Sequence, residues 1–257
     1  MQFVSIASGS KGNCYYAFDH EGGVLIDCGV SVKRIEQAVA AAGGDMSRIK
    51  AVLLTHEHRD HTSSLGPLLR RYHIPCLSRA ATLDALEGLG KIDEGLLAPI
   101  WEESIDLGPF HIALTPVSHD AADPVSYQIT KDGLKIGMLT DSGVLSAENV
   151  AALAASHLLV IEANHDPEML QRGPYPAFLK RRILGPYGHL SNETTANSMQ
   201  DVVSADTQHV LLAHLSEKNN LPTVAHKVVS QALERLAPSP ELAVLSQTRP
   251  MHFSLKS

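Results

Sequence analysis

The chain has 257 residues, of which 44% are hydrophobic, enough to bury one large core or two fused half-sized layers, and one domain spanning 1–257 is expected. No apolar run approaches the length of a membrane span, and the first nine residues lack the basic start and cleavage site of a secretory signal, so a cytoplasmic protein without a membrane partner is expected. The formal charge of −7 argues against a bulk electrostatic footprint for nucleic acid. Cys14, Cys28 and Cys76 form no C-x-x-C pair and read as small buried hydrophobes with reduced thiols.

In chain order, Phe3 to Ala7, Cys14 to Phe18 and Val24 to Asp27 read as short strands separated by Gly-rich turns. A helix follows from about Val32 to Ala42, with Ser31 as its N-cap and Gly43-Gly44 as its stop. Ser63 to Tyr72 and Ala80 to Leu89 look helical around a short strand at Ile74 to Leu77. Strands are expected at Phe110 to Val117, Val125 to Thr130 and Leu134 to Leu139, the last two joined by a hairpin turn at Asp132-Gly133. Helices are then expected at Ala147 to Ala155, Ala177 to Leu184, Glu193 to Val203 and Thr223 to Leu236. Strands interleave with them at His157 to Ile161, His209 to Ala213 and Leu242 to Leu245. The pattern gives an α/β (α+β) protein with two β-rich layers flanked by helices.

The densest chemistry lies between the strand ending at Leu54 and the helix that follows. His56, His58, Asp60 and His61 fall within six residues, and imidazole nitrogen with carboxylate oxygen is the donor set of Zn²⁺, or of Mn²⁺ with a larger oxygen share. Three His and one Asp cannot all reach one ion from so short a loop without strain. Two ions a few Å apart can divide them, so the spacing suggests a dinuclear site.

H-x-H-x-D-H after a hydrophobic strand resembles the signature of the metallo-β-lactamase-fold hydrolases, which implies a four-layer αββα sandwich. The resemblance covers nearly the whole chain and implies three further ligands at later strand ends: Ala113 to Ser118 leads to His119, Lys135 to Thr140 to Asp141, and Val210 to Ala213 to His214. Four apolar runs that each stop at a potential ligand place those ligands along one rim of the sandwich. By this resemblance His56, His58 and His119 hold one ion, Asp60, His61 and His214 the other, and Asp141 bridges them. A hydroxide shared by the ions attacks the substrate and Asp60 orients it. More narrowly, Ser8 to Asn13, Ile26 to Gly29, Thr140 to Gly143, Glu162 to Asp166 and Gly188 to Asn192 resemble the YycJ/WalJ branch, described as containing DNA exonucleases. The stretch from His119 to Asp141 is too short for the long arm of tRNase Z-like enzymes, and that from Asp141 to His214 is too short for an RNase J-type clamp domain.

Outside the ligand set, His189 precedes a helix start at Ser191-Asn192, where free backbone N–H groups favour anions, and the resemblance gives it a phosphate-steadying or proton-donating role. His165 is a second candidate for that duty. Asp27 is expected to support the metal loop through hydrogen bonds, and Ser8, Ser10 and Asn13 to line the mouth. Lys180, Arg181 and Arg182, together with Arg59, Arg70 and Arg71, offer a local positive strip for a nucleic-acid backbone if they converge. The expected function is a dinuclear metal-dependent phosphodiesterase acting on DNA as an exonuclease. The alternative is a small-molecule hydrolase, either a PhnP-like cyclic-phosphate phosphodiesterase or a thioesterase.

Overall fold

A computed structural model describes residues 1–86, 92–237 and 239–256. The first half of the chain runs β1 (Gln2–Ala7), β2 (Cys14–Asp19), β3 (Gly22–Ile26), α1 (Val32–Ala41), β4 (Ile49–Leu53), α2 (Arg59–Thr62), α3 (Leu65–Tyr72), β5 (Cys76–Ser78), α4 (Ala80–Leu86), β6 (Leu97–Pro99) and β7 (Ser104–Leu107). It continues as β8 (Phe110–Pro116), β9 (Val125–Lys131), β10 (Leu134–Leu139), α5 (Ala147–Leu153), β11 (Leu158–Glu162), α6 (Pro167–Arg172), α7 (Ala177–Leu184), α8 (Asn192–Val202), β12 (His209–Ala213), α9 (Pro222–Leu233), β13 (Glu241–Val244) and β14 (Met251–Ser254).

The strands form two seven-stranded sheets, ordered β14-β1-β2-β3-β4-β5-β6 and β13-β12-β11-β10-β9-β8-β7. Successive side chains of a strand face opposite sides, and here both sides are buried, which is why these strands read as continuous apolar runs. Phe3, Tyr15, Val24 and Ile26 point into a core between the sheets, where they meet Phe110, Tyr127, Ile136 and Leu211. Their neighbours Val4, Tyr16 and Leu25 pack outward on Ile35 and Val39 of α1 and Leu65, Leu68 and Leu69 of α3. In the second sheet Val210 and Leu212 pack outward on Leu153, Met199 and Val229 from α5, α8 and α9. Three apolar layers therefore separate helix, sheet, sheet and helix, and the four-layer αββα sandwich is the observed architecture.

Local chemistry sets the ends of the elements. Ser31 accepts a hydrogen bond from Arg34 N at the start of α1. Gly43, at φ +81, closes α1 with Gly43 N donating to Ala40 O and Gly44 N to Val39 O, the paired bonds of a Schellman stop. The helix expected from Ser63 to Tyr72 is observed as Leu65–Tyr72, and a separate helical turn, Arg59–Thr62, precedes it inside the metal loop. The helix expected to Leu89 is described as Ala80–Leu86, and its remaining expected residues lie outside the described ones.

Strand direction is what gathers the site. In the first sheet β3, β4, β5 and β6 run parallel, and in the second β10, β11, β12 and β13 do. β9 is antiparallel to both β8 and β10, so β8 shares the direction of β10. The carboxyl ends of each set lie on one edge, and the residues that follow or end β3, β4, β8, β10, β11 and β12 converge there.

Candidate metal centre

Three of these strand-end residues adopt left-handed backbone: Asp27 at φ 58, Asp141 at φ 57 and His214 at φ 54. That region is sparsely occupied by residues other than glycine and is costly by about 1–3 kcal/mol, so it persists where the surroundings impose it. Here it turns each strand sharply at the rim and directs the side chain inward.

The metal loop is seated on the turn Asp27-Cys28-Gly29. Cys28 N donates to His61 O at 2.7 Å and Asn13 N to Asp60 O at 2.8 Å. A Cβ on Gly29 would fall 1.6 Å from Asp60 O, so only glycine permits this approach. Asp27 is fully buried and accepts from Thr55 N and Thr55 Oγ1 while its Oδ2 lies 2.8 Å from His61 Nδ1. With Nδ1 engaged, His61 turns Nε2 inward, the second-layer control typical of imidazole ligands.

The later residues are oriented in the same manner. Gly188 O lies 3.2 Å from His119 Nδ1. Glu162, which ends β11 and is completely buried, uses Oε1 for both His189 Nδ1 at 2.8 Å and His214 Nδ1 at 2.9 Å. Its Oε2 accepts from Ser142 N at 3.1 Å and Leu190 N at 3.0 Å. Burial would raise the Glu162 pKa, but the two histidines outweigh it and hold the carboxyl well below its usual range. Glu162 was not singled out as a site residue in the sequence. The signal was the apolar run Leu158–Ile161 stopping at an acid, the same cue that marks His119, Asp141 and His214.

The potential donor atoms fall into overlapping groups within 4.8 Å: His56, His58 and His119; Asp60, His61 and His214; and His56, His61 and Asp141. Asp141 Oδ2 is 3.4 Å from His61 Nε2 and Asp141 Oδ1 is 3.2 Å from His214 Nδ1. Among the described residues, His56 Nε2 and Asp141 Oδ2 are buried without a hydrogen-bond partner, a costly state that a cation would relieve. Burial and the neighbouring His61, His119 and His58 push His56 toward its neutral, ligating form. Burial also disfavours charge on His61, yet Asp27 and Asp141 prevail and raise its pKa to about 9, a measure of the negative potential at the centre. The donor set and its unpartnered atoms fit divalent ions. A further group joins Asp141, Glu162, His189 and His214, but Glu162 is already saturated by four donors and serves as an orienting group.

A cavity of about 240 Å³ opens beside this centre, lined by His58, Asp60, His119, His189 and His214 together with Arg182. Ser10 lines it too, whereas Asn13 and Ser8 brace the floor, Asn13 Nδ2 at 3.0 Å from His61 Nε2 and Ser8 Oγ accepting from His214 N. His165 is buried, 1% exposed, away from the cavity wall, and neither ring nitrogen finds a partner. Burial lowers its pKa to about 4. The basic run on α7 does not converge: Lys180 donates to Gln171 O at 2.6 Å, Arg181 is exposed, and only Arg182 lines the cavity, paired at 2.5 Å with Asp120. Arg71 pairs with Glu36 at 3.1 Å.

Residues 23–215 match the family described as "Beta-lactamase superfamily domain". Exodeoxyribonuclease YycJ of Bacillus anthracis is 38% identical over 237 residues, covering 91% of this chain and 89% of that one. Exodeoxyribonuclease WalJ of Streptococcus pneumoniae is 36% identical over 237 residues, 90% and 88% of the two chains. Among solved structures, the metallo-β-lactamase fold protein YhfI from Bacillus subtilis superposes with a TM-score of 0.72 at 16% identity over 98% of this chain and 99% of that one, a likeness of fold. Sequence and architecture agree, and the chain belongs to the metallo-β-lactamase superfamily of hydrolases, close to the YycJ and WalJ exodeoxyribonucleases.

Proposed function

We propose that this hydrolase is a dinuclear metal-dependent phosphodiesterase that removes nucleotides from DNA ends. The observation that carries the reading is the overlap of three donor groups, His56 with His58 and His119, His56 with His61 and Asp141, and Asp60 with His61 and His214, beside a cavity that also presents His189 and Arg182. In this reading His56, His58 and His119 hold one ion, Asp60, His61 and His214 a second, and Asp141 is shared. Divalent ions of the Zn²⁺ or Mn²⁺ kind supply positive charge toward a phosphate and a water made acidic near neutral pH.

The chain's own residues do the rest. Asp60, held deprotonated by His214 and His61 against its burial, accepts a hydrogen bond and fixes the direction of attack. His189 has Nδ1 anchored on Glu162, which leaves its other ring nitrogen for the cavity it lines. There it steadies the phosphate or gives a proton to the departing oxygen. Arg182 adds a fixed cation at the mouth.

The test is digestion of end-labelled DNA of both end polarities by protein reconstituted with Mn²⁺, Mg²⁺ or Zn²⁺, beside a cyclic ribose phosphate and a thioester. Stepwise loss of nucleotides from an end is expected. The small cavity also favours a second reading, a small-molecule phosphodiesterase, and cleavage of the cyclic phosphate with intact DNA would establish that instead.

A further inference from the structure

We infer that Tyr187 is a base-stacking residue which, with Arg182, grips the unpaired terminal nucleotide of a DNA strand. The inference rests on the reading of the site as a DNA-end hydrolase and names the form in which that DNA is taken.

Tyr187 lines the cavity yet is 62% exposed, and Tyr175 lines the same wall. A single exposed aromatic ordinarily needs no explanation. This one is held out by a backbone fixed on both sides to the site itself. Ser118 Oγ donates to Pro186 O at 2.7 Å, and Gly188 O lies against His119 Nδ1. Gly188 N donates to Gly185 O at 2.9 Å, and His189 N to Ile183 O at 3.0 Å. The packing is close enough that a Cβ on Gly143 would lie 2.4 Å from Pro186 O and one on Gly188 would lie 2.1 Å from Ile183 O. The backbone that carries Tyr187 is therefore held against the site, with little main-chain ordering left for a ligand to impose.

Arg182 lines the same cavity as Tyr187. Its Nε and Nη2 both reach Asp120 Oδ2 at 2.5 Å, and Asp120 Oδ1 lies 3.4 Å from His119 Nε2. Asp120 thus stations a guanidinium beside the metal-binding histidines, where an arriving phosphate competes for the same N–H groups in the planar geometry that Arg favours. A phosphate-binding cation and an aromatic face on one rigid wall match a nucleotide and not an apolar peptide. The cavity of about 240 Å³ is on the scale of a single small unit such as one nucleotide, which suits the end of a strand. Every base has a π face, so stacking of this kind reads no sequence and suits the trimming of ends of any sequence.

Strands ending in a normal nucleotide and in an abasic one separate the possibilities. The metal-reconstituted enzyme should favour the base-bearing end roughly tenfold in kcat/KM, a ratio that Tyr187→Ala brings close to one and Tyr187→Trp preserves. A strand ending in fluorescent 2-aminopurine should be quenched on binding metal-free protein, and Tyr187→Ala should remove the quenching. DNA digestion with equal rates on the two ends, or a ratio unchanged in Tyr187→Ala, overturns the stacking role and leaves the exonuclease reading intact. No digestion of any DNA by the wild type, with no quenching, overturns both.

Discussion

The two halves of the centre are built by opposite means. The first sheet contributes one loop, His56 to His61, whose rings are aimed by contacts to its own rim, chiefly Asp27 and Thr55. The second contributes single residues from separate strand ends, His119, Asp141 and His214, with His189 from the segment before α8, and two of these four share Glu162 as their nearest partner. The loop half is a local device whose geometry follows from a few adjacent residues. The strand half depends on register across the sheet and on one buried carboxylate, so damage there should spread further.

Asp141→Ala should have the largest effect, because Asp141 is the point where the halves meet: turnover is lost and bound metal falls from two ions toward one, measured by elemental analysis beside the rate. Full activity in that variant would end the dinuclear reading. Next, Glu162→Ala leaves two imidazoles and two backbone N–H groups without an acceptor, so unfolding should become easier by about 3–5 kcal/mol and activity should collapse. His189→Ala should slow the reaction by about 10²-fold while metal content stays the same. Metal loss in step with rate would instead make His189 a ligand. Asp27→Ala touches one histidine where Glu162 touches two, and is expected to weaken metal binding by about 10- to 100-fold with a smaller stability loss. Should it exceed Glu162→Ala in both measures, the contrast between the halves is reversed. Smallest of all, Lys180→Ala and Arg181→Ala should leave DNA affinity and its salt slope nearly unchanged, whereas Arg182→Ala should lower the slope by roughly 0.7–0.9 for one phosphate contact.

The same contrast explains what the sequence disclosed. The loop half is written contiguously, and H-x-H-x-D-H after an apolar strand is read at once. Strands buried on both faces announce themselves as apolar runs, so β8, β10 and β12 and the residues after them were legible. Three edge strands were not: β6, β7 and β14 are three or four residues each, and their extended form comes from pairing with a neighbour more than from composition. The Asp120–Arg182 pair joins residues 62 positions apart and leaves no periodic trace. Lys180 to Arg182 looked continuous because sequence adjacency conceals the 100° turn per helical residue that sends consecutive side chains to different faces.

β14 lies at the edge of the first sheet, antiparallel to β1, with Phe3 opposite Phe253 and Val4 opposite His252. β1 therefore finds one of its two neighbours only when the chain some 250 positions later has been made. Until then β1 carries an open row of backbone donors and acceptors beside buried-type side chains, the kind of edge that recruits strands from other molecules. The candidate metal-binding residues are all present by His214, but the sheet that seats their loop is not closed until residues 251–254 arrive. Such a long-range closure makes for slow folding, and shortening the chain before β14 should appear first as aggregation during synthesis and only secondarily as lost chemistry.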